Sequence, residues 1–224
     1  MFGRLIEFDD SSRQYPVRAA VRSEEPVTKH WDCKITLDQK VDGSCVSCAW
    51  GHELIAEPTE LLWVDYPFCK ERVYWEAQKI DKFPGGAYPG ASPFMEGTSV
   101  LAGAKVLMRL GLIDNYRWAF GLDDLIIGVG HYGPAVIGVN WYSGMQEPDC
   151  WGRIKVSGRV TGGHAILVRG VNVDKELFTL RNSWGKNYGK NGDCFLSFSD
   201  MWRLLNEDGE ACFALGRQNV DKPK

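Results

Sequence analysis

The spacing of apolar residues changes along the chain, and this change constrains the fold more than any other feature. Apolar residues recur at three- and four-residue spacings over 45–56, which is typical of a helix. Further helices are predicted over 65–80 and over 98–110, the latter ending at Gly111. Beyond about residue 115 the apolar segments become short and are separated by polar turns, which is typical of strands.

This order of elements predicts a fold class and a division of the chain. Helices followed by strands favour an α+β fold with two halves and a cleft between them. We expect a single domain over 1–224, with an N-terminal arm (1–30), a helical lobe (31–115) and a β-rich lobe (116–224). Within the arm, 17–21 is predicted as a short strand. The later predicted elements are strands over 133–141, 164–171, 177–181, 195–198 and 211–215 and a short helix over 201–205.

Composition excludes several classes of partner. The 224 residues carry a net charge of −3, so we expect no polyanion-binding surface and no nucleic-acid partner. No apolar segment approaches the roughly 20 residues that a membrane span requires, so no membrane association is expected. Acidic residues interrupt the first ten positions, which is not typical of a signal peptide. Seven irregularly spaced cysteines suit a reducing compartment, and the sequence therefore predicts a cytoplasmic protein. It does not predict an oligomeric state.

A set of polar residues in two distant parts of the chain suggests acyl-transfer chemistry. The first part holds Gln39 and residues 43–48, which read Gly-Ser-Cys-Val-Ser-Cys. The second holds His164, preceded by two glycines, and residues 182–185, which read Asn-Ser-Trp-Gly. A cysteine in the first turn of a helix lies at the positive end of the helix dipole, which favours its thiolate. An imidazole beside it lowers the thiol pKa further. This chemistry requires no metal and no organic cofactor.

These residues resemble the motifs of the papain-like cysteine peptidases, and the resemblance extends over roughly residues 35–215. It implies a two-lobed fold with a helical N-terminal half, a β-rich C-terminal half and the site in the cleft between them. It also implies roles: a cysteine nucleophile, His164 as acid and base, Asn182 to orient the imidazole, and Gln39 to hold the oxyanion. Losing one oxyanion donor typically costs about 3 kcal/mol of the barrier.

Two cysteines compete for the role of nucleophile. Gly-Ser-Cys-Val-Ser-Cys resembles the motif of the plant enzymes when Cys48 is the nucleophile, but the family's oxyanion glutamine lies six positions earlier, where this chain has Asp42. With Cys45 as nucleophile the same step reaches Gln39, as in compact bacterial and phage members. We therefore assign Cys45 and interpret Cys48 as a packing residue one helical turn later.

The resemblance also implies substrate-binding positions. Gly97 and Thr98 match the glycine-rich segment that pairs with an extended substrate, although a capped helix start explains them equally well. Gly163 allows a close approach to the backbone beside His164. Trp184 is expected to cover the bond between His164 and Asn182, a position that an ordinary core tryptophan would also occupy. Only 44 residues precede Cys45, too few for the inhibitory pro-segment of secreted members, so no such control is expected.

The sequence thus predicts a thiol hydrolase that cleaves peptide or isopeptide bonds through an acyl-enzyme. Its partner would be a peptide or protein substrate, and its source a bacterium or a phage, which would place it in a host cytoplasm or a virion. Two alternatives remain open. One is a catalytically silent binding or structural protein of a phage or bacterial assembly, and the other is a thiol acyltransferase that acts on peptidoglycan stem peptides.

Overall fold

A single antiparallel sheet runs through the computed structural model, which describes residues 2–21 and 25–221. The strands are β1 (Lys29–His30), β2 (Asn115–Ala119), β3 (Ala135–Tyr142), β4 (Val160–Asn172), β5 (Leu177–Arg181), β6 (Asp193–Ser197) and β7 (Glu210–Leu215). Over these residues six of the seven strands follow the order β2-β7-β3-β4-β5-β6, and the seventh, β1, pairs with the end of β4. The long strand β4 therefore lies at the centre, paired with both β3 and β5.

Helices cover both faces of this sheet. They are α1 (Cys45–Ile55), α2 (Tyr66–Phe68), α3 (Trp75–Gln78), α4 (Val100–Arg109), α5 (Leu122–His131) and α6 (Phe198–Asn206). A π-helical stretch, Cys69–Tyr74, joins α2 to α3. Among the helices of the described residues, none has the length and apolar character needed to cross a membrane.

Two apolar cores lie on opposite sides of the sheet. The period of two along β3 divides its residues between them: Val136 belongs to the core with α1 and α4, whereas Ala135 and Ile137 belong to the core with α5 and α6. The indole N–H of Trp50 donates to the carbonyl oxygen of Val100 at 3.1 Å and ties α1 to α4. The packing of α1 against the sheet holds its N-terminus beside β4.

The α+β class and the helices predicted over 45–56 and 98–110 are confirmed as α1 and α4. The strand predicted over 17–21 is wrong, because Val17–Ala20 forms a 3₁₀ helix. The sequence prediction also missed β2 and α5. In α5 the apolar side chains of Ile126, Ile127 and Val129 pack into the core although isoleucine and valine favour strands, so tertiary packing overrides local preference.

Two predicted boundaries also differ from the structure. Strand β4 begins at Val160, so His164 is its fifth residue rather than its first. The strand predicted over 195–198 is β6, and Phe198 already belongs to α6, where the hydroxyl of Ser197 caps the helix by accepting the N–H of Asp200 at 3.1 Å. Both shifts leave the candidate site residues on the predicted elements.

Candidate active site

Cys45 is the first residue of α1 and is fully buried. Ser44 occupies the N-cap position but makes no side-chain capping bond, so the helix start is unshielded on that side. Backbone groups of Ala165, next to His164 on β4, and of Gly3 lie close to the thiol and favour its thiolate. Burial raises the pKa of the Cys45 thiol to about 11, and these two backbone groups offset only part of that rise.

His164 and Asn182 form the hydrogen bond that the sequence predicts. Nε2 of His164 lies 2.9 Å from Oδ1 of Asn182, and the same Oδ1 accepts the backbone N–H of Ser183 at 2.8 Å. Because a backbone N–H can only donate, the shared atom is an oxygen, and Nε2 of the imidazole must carry the proton. Nδ1 is then the basic nitrogen, and it has no hydrogen-bond partner among the described residues.

Aromatic rings enclose this histidine. Measured between ring centroids, Trp141 lies 4.7 Å from the imidazole, Trp184 lies 5.0 Å from it and Phe2 lies 6.1 Å from it. Burial lowers the pKa of His164 to about 4, although the bond to Asn182 acts in the opposite direction. The imidazole and the Cys45 thiol are therefore both neutral at pH 7 in this conformation.

Gln39 connects the loop before α1 to the strand end that carries Asn182. Its backbone N–H donates to the carbonyl oxygen of Ser183 at 2.8 Å, and its side-chain oxygen accepts the Ser183 hydroxyl at 2.6 Å. One side-chain N–H donates to the carbonyl oxygen of Asp42 at 2.7 Å. The buried amide of Gln39 is thus hydrogen-bonded to Ser183, the residue next to Asn182, which positions the imidazole.

Cys48 points toward different neighbours. The free thiol of Cys69 lies beside it, and this neighbour together with burial raises the pKa of the Cys48 thiol well above its ordinary value. Asp42 would take the oxyanion position if Cys48 were the nucleophile. Its carboxylate instead accepts hydrogen bonds from Nζ of Lys70 at 2.7 Å and from the hydroxyl of Tyr66. The structure therefore brings the thiol of Cys45, and not that of Cys48, against the strand that carries His164.

Residues 2–5, which we call the cleft segment, lie across this site. The N–H groups of Gly3 and Arg4 donate to the carbonyl oxygen of Gly163 at 3.1 and 3.0 Å. Thr98 donates its N–H to the carbonyl oxygen of Gly3 and accepts the N–H of Leu5, both at 2.9 Å. The predicted substrate-binding backbone at Thr98 and Gly163 is thus occupied by an extended part of the chain itself.

The fit of this segment depends on glycines. A Cβ atom on Gly3 would lie 1.8 Å from the carbonyl oxygen of Gly43, a contact that no side chain can tolerate. A Cβ atom on Gly163 would lie 2.3 Å from the carbonyl oxygen of Arg4, and one on Gly162 would lie 2.7 Å from the ring of Phe2. Gly97 lies close to the cleft segment and has a φ of +98°, a backbone conformation that favours glycine.

The sequence predicts these residues as part of an N-terminal arm (1–30) and predicts no control by an inhibitory pro-segment. The structure instead places Phe2, Gly3 and Arg4 against the catalytic candidates. It also places the carboxylate of Glu210, which was not predicted as a site residue, under the side chain of Arg4. The one local signal for Glu210 is an acidic residue at the edge of an otherwise apolar strand, residues 210–215.

The remaining histidines have structural partners. His52 is buried in α1, and its Nε2 accepts the backbone N–H of Leu37 at 2.9 Å. His30 contacts the guanidinium of Arg169, and His131 contacts a backbone carbonyl. Across residues 2–21 and 25–221, no group of three or more histidine, cysteine, aspartate or glutamate side chains is arranged to hold a metal ion.

Comparison with known proteins gives matches in structure only: no family model matches the chain, and no curated protein matches it. Xylellain, a cysteine protease from Xylella fastidiosa, superposes with a TM-score of 0.70 at 18% identity, covering 97% of this chain and 96% of that one. Bromelain from Ananas comosus, in complex with the E64 inhibitor, gives 0.55 at 12% identity, covering 86% and 100%. A procathepsin B from Trypanosoma congolense gives 0.53 at 12% identity, covering 97% and 87%. The chain therefore has a papain-like α+β fold.

Proposed function

We propose that the chain is a cysteine peptidase that hydrolyses peptide or isopeptide bonds. The observation that carries this proposal is the hydrogen bond between His164 and Asn182. His164 lies on β4 next to Ala165, whose backbone is close to the thiol of Cys45 at the start of α1. The bond to Asn182 fixes the basic nitrogen of the imidazole as Nδ1 and leaves that atom without a partner among the described residues. The combination of an acceptor on Nε2 and a free Nδ1 is the arrangement that a general base requires.

In the reaction, the Cys45 thiol transfers its proton to Nδ1 of His164, and the sulfur attacks the substrate carbonyl carbon. The oxyanion accepts hydrogen bonds from the side-chain amide of Gln39 and from the backbone N–H of Cys45, which, as a first-turn donor, has no acceptor within its helix. The imidazolium then protonates the leaving amine as the C–N bond breaks. The result is a thioester on Cys45.

Hydrolysis follows by the reverse proton path. Nδ1 of His164 takes a proton from water, the hydroxide oxygen attacks the thioester, and the protonated imidazole returns the proton to the departing sulfur. Asn182 stabilises the imidazolium through both steps, since its oxygen accepts from Nε2 throughout. Trp184 and Trp141 keep water away from that hydrogen bond, because their rings pack directly against the imidazole.

The occupied cleft means that this cycle requires the cleft segment to move. When it leaves, water enters, the burial of Cys45 and His164 decreases, and the two pKa values move toward each other. The helix dipole then favours the thiolate, and the imidazole its protonated form. We therefore expect the peptidase to be slow in the closed form and active in the open one.

Hydrolysis of an internally quenched peptide library by variants of the two cysteines tests the proposal. Replacement of Cys45 with alanine should abolish cleavage, whereas the matched Cys48→Ala variant should retain it. Cleavage that survives Cys45→Ala and disappears in Cys48→Ala would overturn the assignment of the nucleophile. A wild-type chain and an open form that bind peptides but never cleave them would favour the silent binding protein instead.

A further inference from the structure

The side chain of Arg4 enters a closed slot beside the candidate nucleophile. Three adjacent strands build this slot: on β3 Gly138 faces Ala165 of β4 on one side and Glu210 of β7 on the other. Since the backbone of Ala165 is also close to the thiol of Cys45, the slot lies next to the reacting sulfur. The Arg4 side chain is fully buried within it.

The slot exists because position 138 has no side chain. A Cβ atom on Gly138 would lie 2.8 Å from Nε of Arg4 and 2.9 Å from Oε1 of Glu210. It would also lie 3.0 Å from a methyl carbon of Val100, which limits the slot on the side of α4. The space therefore admits a long, narrow side chain that ends at the carboxylate.

The chemistry at the end of the slot matches a guanidinium. Nε and Nη2 of Arg4 both lie 3.0 Å from Oε1 of Glu210, and Nη2 also donates to the carbonyl oxygen of Asp208 at 2.5 Å. The Glu210 side chain is fully buried. A neutral side chain in the same place would leave this carboxylate without a charged partner, which is costly in a buried site.

Burial raises the pKa of Glu210 to about 7, and the Arg4 guanidinium opposes this rise. Glu7 raises the pKa further through its charge, whereas Arg13 lowers it. Without a cation in the slot the carboxyl group would protonate at a still higher pH. The carboxylate and the cation therefore favour each other's charged forms.

We infer that Glu210 makes this slot a recognition pocket for a guanidinium side chain, so that the peptidase prefers substrates with an arginine within two residues of the cleaved bond. The cleft segment occupies this pocket with a guanidinium side chain of the same chain, Arg4. This inference rests on the proposed function for the part that concerns cleavage. Because a guanidinium presents several donors in a fixed plane, arginine should bind more tightly than lysine, and lysine more tightly than a neutral side chain.

Peptide binding, measured by calorimetry, tests the pocket without requiring turnover. The protein is the full chain with Gly3→Val, Arg4→Ala and Cys45→Ala, in which the clash with Gly43 displaces the segment and the slot is empty. The ligands are acetylated Phe-Gly-Arg-Leu amide and its counterparts with lysine or citrulline in place of arginine. We expect the arginine peptide to bind at least tenfold more tightly than the citrulline peptide, with the lysine peptide between them.

A second carboxylate provides the matched control. Replacing Glu210 with glutamine should remove the difference between the arginine and citrulline peptides. Glu53 is also buried and paired with an arginine, Arg217, at 2.6 Å, so Glu53→Gln should keep that difference. Equal binding of the arginine and citrulline peptides, a failure of all three to bind, or a preference that survives Glu210→Gln would each overturn the inference. These comparisons separate a pocket from an ion pair that only fastens the segment to the fold.

Cleavage is then measured with Gly3→Val and Arg4→Ala in a chain that retains Cys45. Products from a mixed peptide library, sequenced by mass spectrometry, should show arginine enriched at one position within two residues of the cut, and Glu210→Gln should reduce that enrichment at least tenfold. Cleavage without any such enrichment contradicts the pocket and leaves the proposed function standing. Arginine-selective binding in a chain that never cleaves has the opposite meaning: it supports the pocket and contradicts the peptidase.

Discussion

Displacing the cleft segment should make Cys45 much more reactive. The perturbation is the pair Gly3→Val and Arg4→Ala, since the new side chain at position 3 would collide with the carbonyl oxygen of Gly43 and the anchor in the slot is lost. In the closed form the Cys45 pKa is about 11. At pH 7 this corresponds to a thiolate fraction of about one in 10,000.

The open form gives the size of the effect. A solvated cysteine with a pKa of about 8.5 is roughly 3% thiolate at pH 7, which is about 300 times more than in the closed form. Nucleophilicity falls as the pKa falls, with a Brønsted slope of about 0.4–0.5, and this leaves a gain of about 20-fold in alkylation rate. Any further fall in the Cys45 pKa from the helix dipole and the His164 imidazolium would raise the thiolate fraction above this value.

Iodoacetamide labelling followed by peptide mapping measures this rate at each cysteine. The exposed thiol of Cys150 is the internal control, and its rate should not change. Hydrogen exchange at the N–H of Thr98, which donates to the carbonyl oxygen of Gly3 in the closed form, reports whether the segment has left. Fast exchange at Thr98 together with an unchanged labelling rate at Cys45 would refute the argument that the segment suppresses the thiolate.

Three further predictions concern other parts of the structure. Asn182→Ala removes the acceptor for His164 and should lower kcat by about 10- to 100-fold, the equivalent of a hydrogen bond of 1.5–3 kcal/mol to a charged group; an unchanged kcat with a normal fold would contradict the orienting role. Burial lowers the pKa of His52 to about 3, so between pH 6.5 and 3 its imidazole is protonated in the unfolded chain but neutral in the folded one. The free energy of unfolding should therefore fall as the pH drops from about 6.5 toward 3. The loss from this group is on the order of 5 kcal/mol, and urea titrations of His52→Gln should show a shallower pH dependence; an identical slope would count against this assignment. Asp193 pairs with two buried arginines, so Asp193→Asn should cost about 3–5 kcal/mol in the free energy of unfolding, whereas the exposed pair of Glu60 should contribute about 1 kcal/mol or less, and equal losses in the two variants would refute the burial argument.

Local pattern was enough to predict the elements that carry the catalytic candidates. Periodicity placed Cys45 at the start of α1, and the two predicted strands 164–171 and 177–181 placed His164 and Asn182 within reach of each other across β4 and β5. Helix α5 was missed because its two isoleucines and its glycines oppose helix formation locally, and only packing against the sheet determines its structure.

The occupied cleft could not be predicted in the same way. The bond between Arg4 and Glu210 joins residues 206 positions apart, and neither residue lies in a recognisable motif. The slot also depends on the absence of a side chain at Gly138, which becomes meaningful only once β3, β4 and β7 are aligned. The fold class and the four catalytic candidates followed from sequence, whereas the partner of Glu210 required the register of the sheet.

In the proposed mechanism Cys45, activated by His164, forms the covalent intermediate. The most direct test treats the chain carrying Gly3→Val and Arg4→Ala with a peptidyl chloromethyl ketone and identifies the modified residue by mass spectrometry. We expect one adduct per chain, on Cys45, and a reaction that slows strongly in the matched variant with His164→Ala. An adduct on Cys48, or a Cys45 adduct whose rate does not depend on His164, would contradict this mechanism.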